Sequence, residues 1–235
     1  MLTDNHYIEI PMNIPGIQFL RVGVPGDGKC LIHALLFLLN EKYITLDTPT
    51  KIRDATEFIR QFRDTLTVDN WDIFHLGEGS IQLQIQLRAL LERKFTDEYL
   101  DTLFQKMDLN GSFKDMIQLM GRETQDKMHP SEFTQIVQIM NGYKQRLYEQ
   151  YKQTLIQCQS LGHEEIKYFS HQYKINIAIV DERGKIFWGS TYNQSYAVHF
   201  MICNLGGMHW EPVIISINNT VYRSIPNQVL KNIIK

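Results

Sequence analysis

The sequence predicts an α+β or mixed α/β fold, in which strand-rich ends flank a helical middle. Residues 17–24 have the composition of a short strand, and the chain from residue 174 onwards is a series of β-rich segments separated by Gly, Asn and Asp. Between them, residues 80–160 carry apolar stripes at helical spacing. Strands and helices that occupy separate parts of a chain are typical of the α+β class.

The individual elements follow from local patterns. The first strand ends at the turn formed by residues 25–28, and the apolar run over 30–40 predicts a helix that is buried on most sides. A second helix begins near residue 48, with Thr48 as the candidate N-cap and Pro49 in the first helical position. The segment IQLQIQL, at 81–87, alternates strictly and therefore fits either a helix or a strand.

Composition narrows the class of protein. The chain of 235 residues is 43% hydrophobic, which is long enough to bury one substantial core, and its net charge of −2 provides no field that would attract nucleic acid. Cys30, Cys158 and Cys203 are odd in number and widely spaced, so we expect no disulfide framework and a reducing compartment. Neither a membrane span nor a signal peptide is predicted, because no apolar run approaches about 20 residues and the N-terminus lacks a basic segment followed by an apolar one.

Cys30 stands directly after Gly-Asp-Gly, at the start of the predicted buried helix. A helix N-terminus exposes unpaired N–H groups with a positive partial charge, which stabilises a thiolate. Gly26 and Gly28 allow positive φ, so that backbone N–H groups can converge as they do in an oxyanion hole. A free cysteine is also among the most commonly buried residues. The cysteine by itself therefore leaves open whether it is a nucleophile or a structural side chain.

A nucleophilic cysteine requires a base, and His209 is the strongest of the eight histidines. His33 lies on the same helix as Cys30 and has no evident orienting partner. His209 instead follows a glycine turn and begins a β-rich run. Glu211, two residues on, is expected on the same face of that strand, where it can bind the distal imidazole nitrogen.

Neither a metal nor a cofactor is predicted. The calcium-loop and H-E-x-x-H patterns are incomplete, and the sequence contains no C-x-x-C, Walker A or G-x-G-x-x-G motif.

Two segments together resemble the ovarian-tumour (OTU) family of cysteine proteases. GDGKCLIHAL, at 26–35, is similar to the family's nucleophile loop, D-G-N-C-L-F-R-A, and MHWEPVII, at 208–215, is similar to its histidine strand, H-[YW]-[DN]-x-[VI]. Two further blocks, at 51–74 and 162–180, are similar to family blocks in the same order.

The resemblance implies a papain-like fold of the OTU type, with a central, mostly antiparallel sheet packed between helices. Residues 1–78 and 160–235 would form the catalytic core, and residues 79–159 an inserted helical arm. Such an arm resembles those of the OTU-like effectors of Legionella-type bacteria, where it helps to hold ubiquitin. The alternative is a purely structural cap.

The resemblance also implies a function, a thiol-dependent deubiquitinase that hydrolyses isopeptide bonds at the C-terminal glycine of ubiquitin. Its partners would be ubiquitin, polyubiquitin chains and ubiquitinated proteins. By this resemblance Cys30 is the nucleophile, His209 the general base and Glu211 the third member of the triad. The loop aspartate Asp27 would be part of the active site. The backbone N–H groups of Asp27, Gly28 and Lys29 would line the oxyanion hole.

The sequence departs from the family pattern at several positions. Lys29 replaces an asparagine, His33 replaces an arginine, and Glu211 stands where Asp or Asn is common. Trp210 and Trp188 are candidate walls of a narrow channel for the ubiquitin tail.

Two other functions remain open at this stage. One is a catalytically silent ubiquitin-binding module, and the other is a protease for a ubiquitin-like modifier. A cytosolic location is expected, which for a bacterial effector would be the cytoplasm of the host cell.

Overall fold

A computed structural model describes residues 4–69, 71, 80–108, 113–156, 161–187 and 192–233. The chain divides into two compact units. The first comprises Met1–Phe62 and Leu155–Lys235, and the second comprises Arg63–Thr154. The second unit therefore begins earlier in the chain than the insertion expected at 79–159.

The first unit is built on a mixed sheet. Its strands are β1 (Tyr7–Ile10), β2 (Ile17–Val22), β3 (Ile175–Asp181), β4 (Ile186–Phe187), β5 (Val198–Leu205), β6 (His209–Ile217) and β7 (Thr220–Tyr222). The order is β1-β2-β6-β5-β3-β4, with β7 also paired to β6. Of the pairings in the described residues, only that of β3 with β5 is parallel. The predicted α+β class and the mostly antiparallel sheet are confirmed.

Helices pack on both faces of this sheet. The helix α1 (Cys30–Leu39) contacts β6, and its Phe37 shares a cavity lining with Ile214. Val213, the neighbour of Ile214 along β6, instead joins the core cluster that contains Val229 of the C-terminal helix (Asn227–Ile233). Because successive strand residues point to opposite faces, these two helices cover opposite sides of the sheet. The predicted buried helix at Cys30 is confirmed, since most of its residues are buried.

The second helix, α2 (Thr48–Thr65), begins one residue away from the predicted cap. The Asp47 carboxylate accepts a hydrogen bond from the Thr50 backbone N–H at 2.9 Å, so Asp47 is the N-cap. The Thr48 hydroxyl donates to Asp4 instead, at 2.9 Å. The prediction of Thr48 as N-cap is wrong, because the Asp47 carboxylate stands one position earlier and accepts the hydrogen bond of the Thr50 amide.

The second unit is helical. It contains α3 (Ser80–Leu91), α4 (Asp97–Asp108), α5 (Phe113–Thr124) and most of α6 (Pro130–Ile156). Two further helices belong to the described part of the first unit. One is α7 (His163–Tyr173), which packs on β3, and the other is the C-terminal helix described above, α8. None of the helices in the described ranges has the length and apolar character that a membrane crossing would need.

The alternating segment 81–87 is part of a helix. Leu83, Leu87 and Leu91 are fully buried at a spacing of four residues. The intervening Ile81 and Ile85 are 58% and 54% exposed, because residues two apart on a helix point in nearly opposite directions. The ambiguity in the sequence is thus resolved by a helix with one buried and one exposed apolar face.

Candidate active site

Cys30 and His209 meet in the structure. Cys30 is the first residue of α1 and is only 6% exposed, and His209 is the first residue of β6. The Cys30 thiol and the Glu211 carboxylate, both close to the imidazole, raise the pKa of His209 to about 9 against the opposing effect of burial. The two residues selected from the sequence as nucleophile and base are therefore neighbours in space.

Glu211 lies behind the histidine. Its side chain is fully buried, and its Oε1 atom is 3.3 Å from His209 Nε2. Because this contact occupies Nε2, Nδ1 is the nitrogen available to the Cys30 thiol. The strand alternation that places His209 and Glu211 on one face explains the contact.

Arg21 is the residue of this site that sequence reasoning missed. Its Nη1 atom donates to Glu211 Oε2 at 2.6 Å. Arg21 lies on β2, and its side chain is 17% exposed. A charged residue inside the mostly apolar strand IQFLRV was the available signal, since a partly buried charge normally has a partner.

Asp27 organises the loop before Cys30. Its Oδ1 atom accepts from the Lys29 backbone N–H at 3.1 Å and lies 2.9 Å from His33 Nε2, and its Oδ2 accepts from Lys29 Nζ at 3.0 Å. Burial raises the pKa of Asp27, but the hydrogen bonds from Lys29 and the neighbouring imidazole outweigh this and hold it below its usual value. Asp27 is therefore a structural anchor of the loop before Cys30.

The backbone of this loop differs from the expected oxyanion hole. The Lys29 N–H points to Asp27, which argues against the expectation that this amide faces the substrate. Gly28 has the expected positive φ, at 83°, but Gly26 lies outside the left-handed region. The amides of Gly28 and of Cys30, the latter at the N-terminus of α1, remain the candidate donors.

His33 has orienting partners, and the expectation that it lacks them is wrong. Its side chain is fully buried, with Nε2 at Asp27 and Nδ1 at the hydroxyl of Tyr43, a residue of the short 3-10 helix Glu41–Thr45. Burial lowers the pKa of His33 and favours the neutral ring. A neutral ring satisfies both contacts when Nε2–H donates to Asp27 and Nδ1 accepts from Tyr43.

Of the two tryptophans expected at a substrate channel, only Trp210 lies in the described residues. Trp210 is 1% exposed, and its indole N–H donates to the Leu161 carbonyl at 3.1 Å. It points away from the face that carries His209 and Glu211. This burial argues against a channel wall, and we remove Trp210 from the site. Trp188 lies outside the described residues.

The other described thiol, that of Cys203, is not a second candidate nucleophile. Burial raises the pKa of Cys203 to about 12, so its thiol is unreactive at neutral pH. Cys158 lies outside the described residues. Within the described ranges, no three His, Cys, Asp or Glu side chains are grouped so that they could hold a metal ion.

Comparisons with known proteins give a remote structural similarity. No protein-family model matches the chain, and no curated protein matches it. A solved structure of an ovarian tumor (OTU) domain in complex with ubiquitin is similar at 14% sequence identity, with a TM-score of 0.39. The alignment covers 95% of this chain and 84% of that one.

Proposed function

We propose that this protein is a thiol-dependent deubiquitinase, which hydrolyses isopeptide bonds at the C-terminal glycine of ubiquitin. The observation that carries the proposal is the placement of Cys30, at a helix N-terminus, beside His209, whose Nε2 contacts the buried carboxylate of Glu211. This is the order of groups that an activated nucleophile requires: a thiol, a base, and a third group that orients the base.

Each group has a defined role in the proposed reaction. His209 takes the proton of Cys30, and the thiolate attacks the carbonyl carbon of the terminal glycine. The amides of Gly28 and Cys30 stabilise the oxyanion of the tetrahedral intermediate. His209 then protonates the departing amine, which leaves a thioester between Cys30 and ubiquitin. Water, deprotonated by His209, hydrolyses the thioester and regenerates the thiol.

The choice of ubiquitin as substrate rests on the four ordered sequence blocks that resemble the OTU family. The same resemblance supports a location in a reducing cytosol, that of a host cell if the protein is a bacterial effector. The thiol chemistry requires such an environment, because a disulfide at Cys30 would block attack.

The test compares two cysteines of the same unit. Wild type, Cys30→Ala and Cys203→Ala are assayed on a fluorogenic amide of the ubiquitin C-terminal glycine and on a panel of di-ubiquitin linkages. We expect turnover by wild type and by Cys203→Ala, whose buried thiol borders Glu211 but is not the proposed nucleophile, and none by Cys30→Ala. Hydrolysis by a folded Cys30→Ala protein would falsify the nucleophile assignment.

A silent ubiquitin-binding module is the second candidate, and the placement of Cys30 beside His209 argues against it. A ubiquitin probe with a C-terminal electrophile separates the two functions, because a catalytic Cys30 forms a covalent adduct and a binding module does not. Matched probes built on ubiquitin-like modifiers test the third function. An adduct with one of those, but not with ubiquitin, would redirect the proposal to that modifier.

We further propose that the helical unit contributes to ubiquitin binding. Its α3 exposes Ile81 and Ile85 one helical turn apart, and Gln82 and Gln86 beside them are exposed polar residues. An apolar patch with a polar rim is the surface expected of a protein-binding face. The patch is small, so we expect it to assist binding rather than to define it.

The double variant Ile81→Asp/Ile85→Asp tests this surface. If the patch binds ubiquitin, KM for the ubiquitin amide rises while kcat stays the same. Val221→Asp is the matched control, because Val221 is an apolar residue of similar exposure, 57%, in the first unit. An unchanged KM in the double variant would assign α3 to a purely structural cap.

A further inference from the structure

The buried carboxylate of Glu211 contacts an arginine and a histidine, and the arginine is the closer of the two. Arg21 Nη1 lies 2.6 Å from Oε2, whereas His209 Nε2 lies 3.3 Å from Oε1. An ionised carboxylate with no exposed surface is costly unless it is paired with a cation and hydrogen-bonded. His209 supplies a charge only when it is protonated, but Arg21 supplies one at every pH of interest.

The sheet register explains why these residues meet. Arg21 on β2 is directly opposite Val213 on β6, and Glu211 is the diagonal neighbour two residues before Val213. Diagonal positions on one face of an antiparallel pair lie within reach of long side chains. On the other side of β6, Cys203 of β5 is directly opposite Glu211. The carboxylate is thus enclosed by strands on both sides, and Arg21 is the cation that reaches it.

From this arrangement we propose that Arg21 is a positioning residue of the active site. It fixes one oxygen of Glu211 and keeps the carboxylate ionised, so that the other oxygen orients His209 towards Cys30. The inference rests on the proposed function for its catalytic meaning, but the geometry that it describes is independent of the substrate. The functional unit is then a line of four residues drawn from three segments of the chain, β2, β6 and α1: Arg21, Glu211, His209 and Cys30.

Loss of the guanidinium changes the environment of the carboxylate. Burial favours the neutral form of a carboxylic acid, so without Arg21 the Glu211 side chain takes up a proton more readily as the pH falls. A neutral Glu211 no longer stabilises the His209 imidazolium, and the thiolate of Cys30 loses its counter-ion. The titratable and charged groups that face Glu211 are Arg21 of β2, His209 of β6 and Cys203 of β5. Beyond them, Cys30 of α1 acts on His209, and Asp181 and Glu182 act on Cys203.

The experiment uses Arg21→Gln and Arg21→Lys, with Arg223→Gln as the matched control. Arg223 also forms an ion pair with a glutamate, Glu41, at 2.8 Å in the same unit, but takes no part in the site. Two readouts are recorded from pH 5 to 9 on the full chain. One is the rate at which iodoacetamide alkylates Cys30, followed by mass spectrometry of its peptide, and the other is kcat and KM on the ubiquitin amide.

We expect Arg21→Gln to lower both the alkylation rate of Cys30 at pH 6–7 and kcat by roughly 10- to 100-fold, the loss that one charge-assisted hydrogen bond supports. KM should be unchanged, the acid limb of the alkylation profile should move to higher pH, and Arg21→Lys should recover part of the rate. The control Arg223→Gln should match wild type in both readouts. A merely structural role for Arg21 would lower the unfolding temperature without moving the pH profile.

A folded Arg21→Gln protein with the wild-type alkylation profile overturns the proposal. If that variant does not fold, Arg21→Lys decides. The lysine side chain is shorter and carries a point charge, so the alkylation rate must still fall several-fold. A wild-type alkylation profile in Arg21→Lys also overturns the proposal. Alkylation requires no ubiquitin, so the two proposals can fail separately. Alkylation that depends on Arg21, in a wild type that hydrolyses no ubiquitin amide, supports the role of Arg21 and contradicts the deubiquitinase.

Discussion

Replacement of His33 by phenylalanine measures what the network behind the nucleophile loop contributes to stability. The His33 ring is fully buried, and the change keeps an aromatic ring while removing its contacts with Asp27 and the Tyr43 hydroxyl. Asp27 retains both bonds from Lys29, but the hydroxyl of Tyr43, which is 1% exposed, keeps only the long bond to the Lys51 carbonyl at 3.4 Å. The lost bond of this buried hydroxyl and the lost charge-assisted bond of Asp27 together cost about 2–3 kcal/mol of unfolding free energy.

The pH dependence of this loss has a definite sign. Burial lowers the pKa of His33 below 6.5, so at mildly acidic pH the unfolded state binds the proton more readily than the native state. The stability that wild type draws from a neutral His33 is therefore present above about pH 6.5 and declines as the pH falls below this value. His33→Phe removes that dependence, and we expect its destabilisation to be larger at pH 8 than at pH 5.

Urea unfolding, followed by circular dichroism at pH 8 and pH 5, provides the assay. His171→Phe is the matched control, because His171 also contacts a tyrosine hydroxyl, that of Tyr196 at 3.2 Å, but from an exposed position. It should cost less than about 0.5 kcal/mol. Equal losses in the two variants, or a loss in His33→Phe that grows towards acidic pH, would refute the network as described.

Three further outcomes concern the site. The alkaline limb of kcat/KM should fall near pH 9, the pKa of His209. Glu211→Gln should move this limb to lower pH, because it removes a hydrogen bond that raises the His209 pKa. An unmoved limb would contradict the role of Glu211. Asp27→Ala should reduce kcat about tenfold by releasing the nucleophile loop, and wild-type turnover would show that the loop needs no anchor. Trp210→Phe should lower the unfolding free energy by about 1–2 kcal/mol through loss of its buried indole bond, with kcat unchanged; a large loss of kcat would return Trp210 to the site.

The elements that sequence predicted well are those governed by local backbone rules. A glycine-containing turn followed by an apolar run predicted a buried helix that begins at Cys30, and α1 begins at that residue. The alternation of side chains along a strand predicted that His209 and Glu211 share a face, and the two side chains are 3.3 Å apart. The helix cap at Thr48 was missed by one position for an equally local reason, since Asp47 competes for the same amide.

The errors fall where a side chain finds its partner in another part of the fold. His33 was set aside for want of a partner, but it contacts Tyr43, which α1 and the following 3-10 helix bring beside it. Trp210 was expected at the surface of the site, but a backbone carbonyl 49 residues earlier in the chain accepts its indole N–H. Sequence periodicity gives the face on which a side chain lies; it does not tell what packs against that face.

The sequence by itself determined the chemistry that is available: a thiol at a helix N-terminus, an imidazole at the start of a strand, and a carboxylate two residues further on. Only the tertiary structure decided that these groups meet and that Arg21, 190 positions away from Glu211, joins them. The reason is the pairing of β2 with β6, because a shift of one residue in that register would turn Arg21 to the opposite face of the sheet. Strand register depends on the packing of the whole core, and no local pattern near Arg21 encodes it.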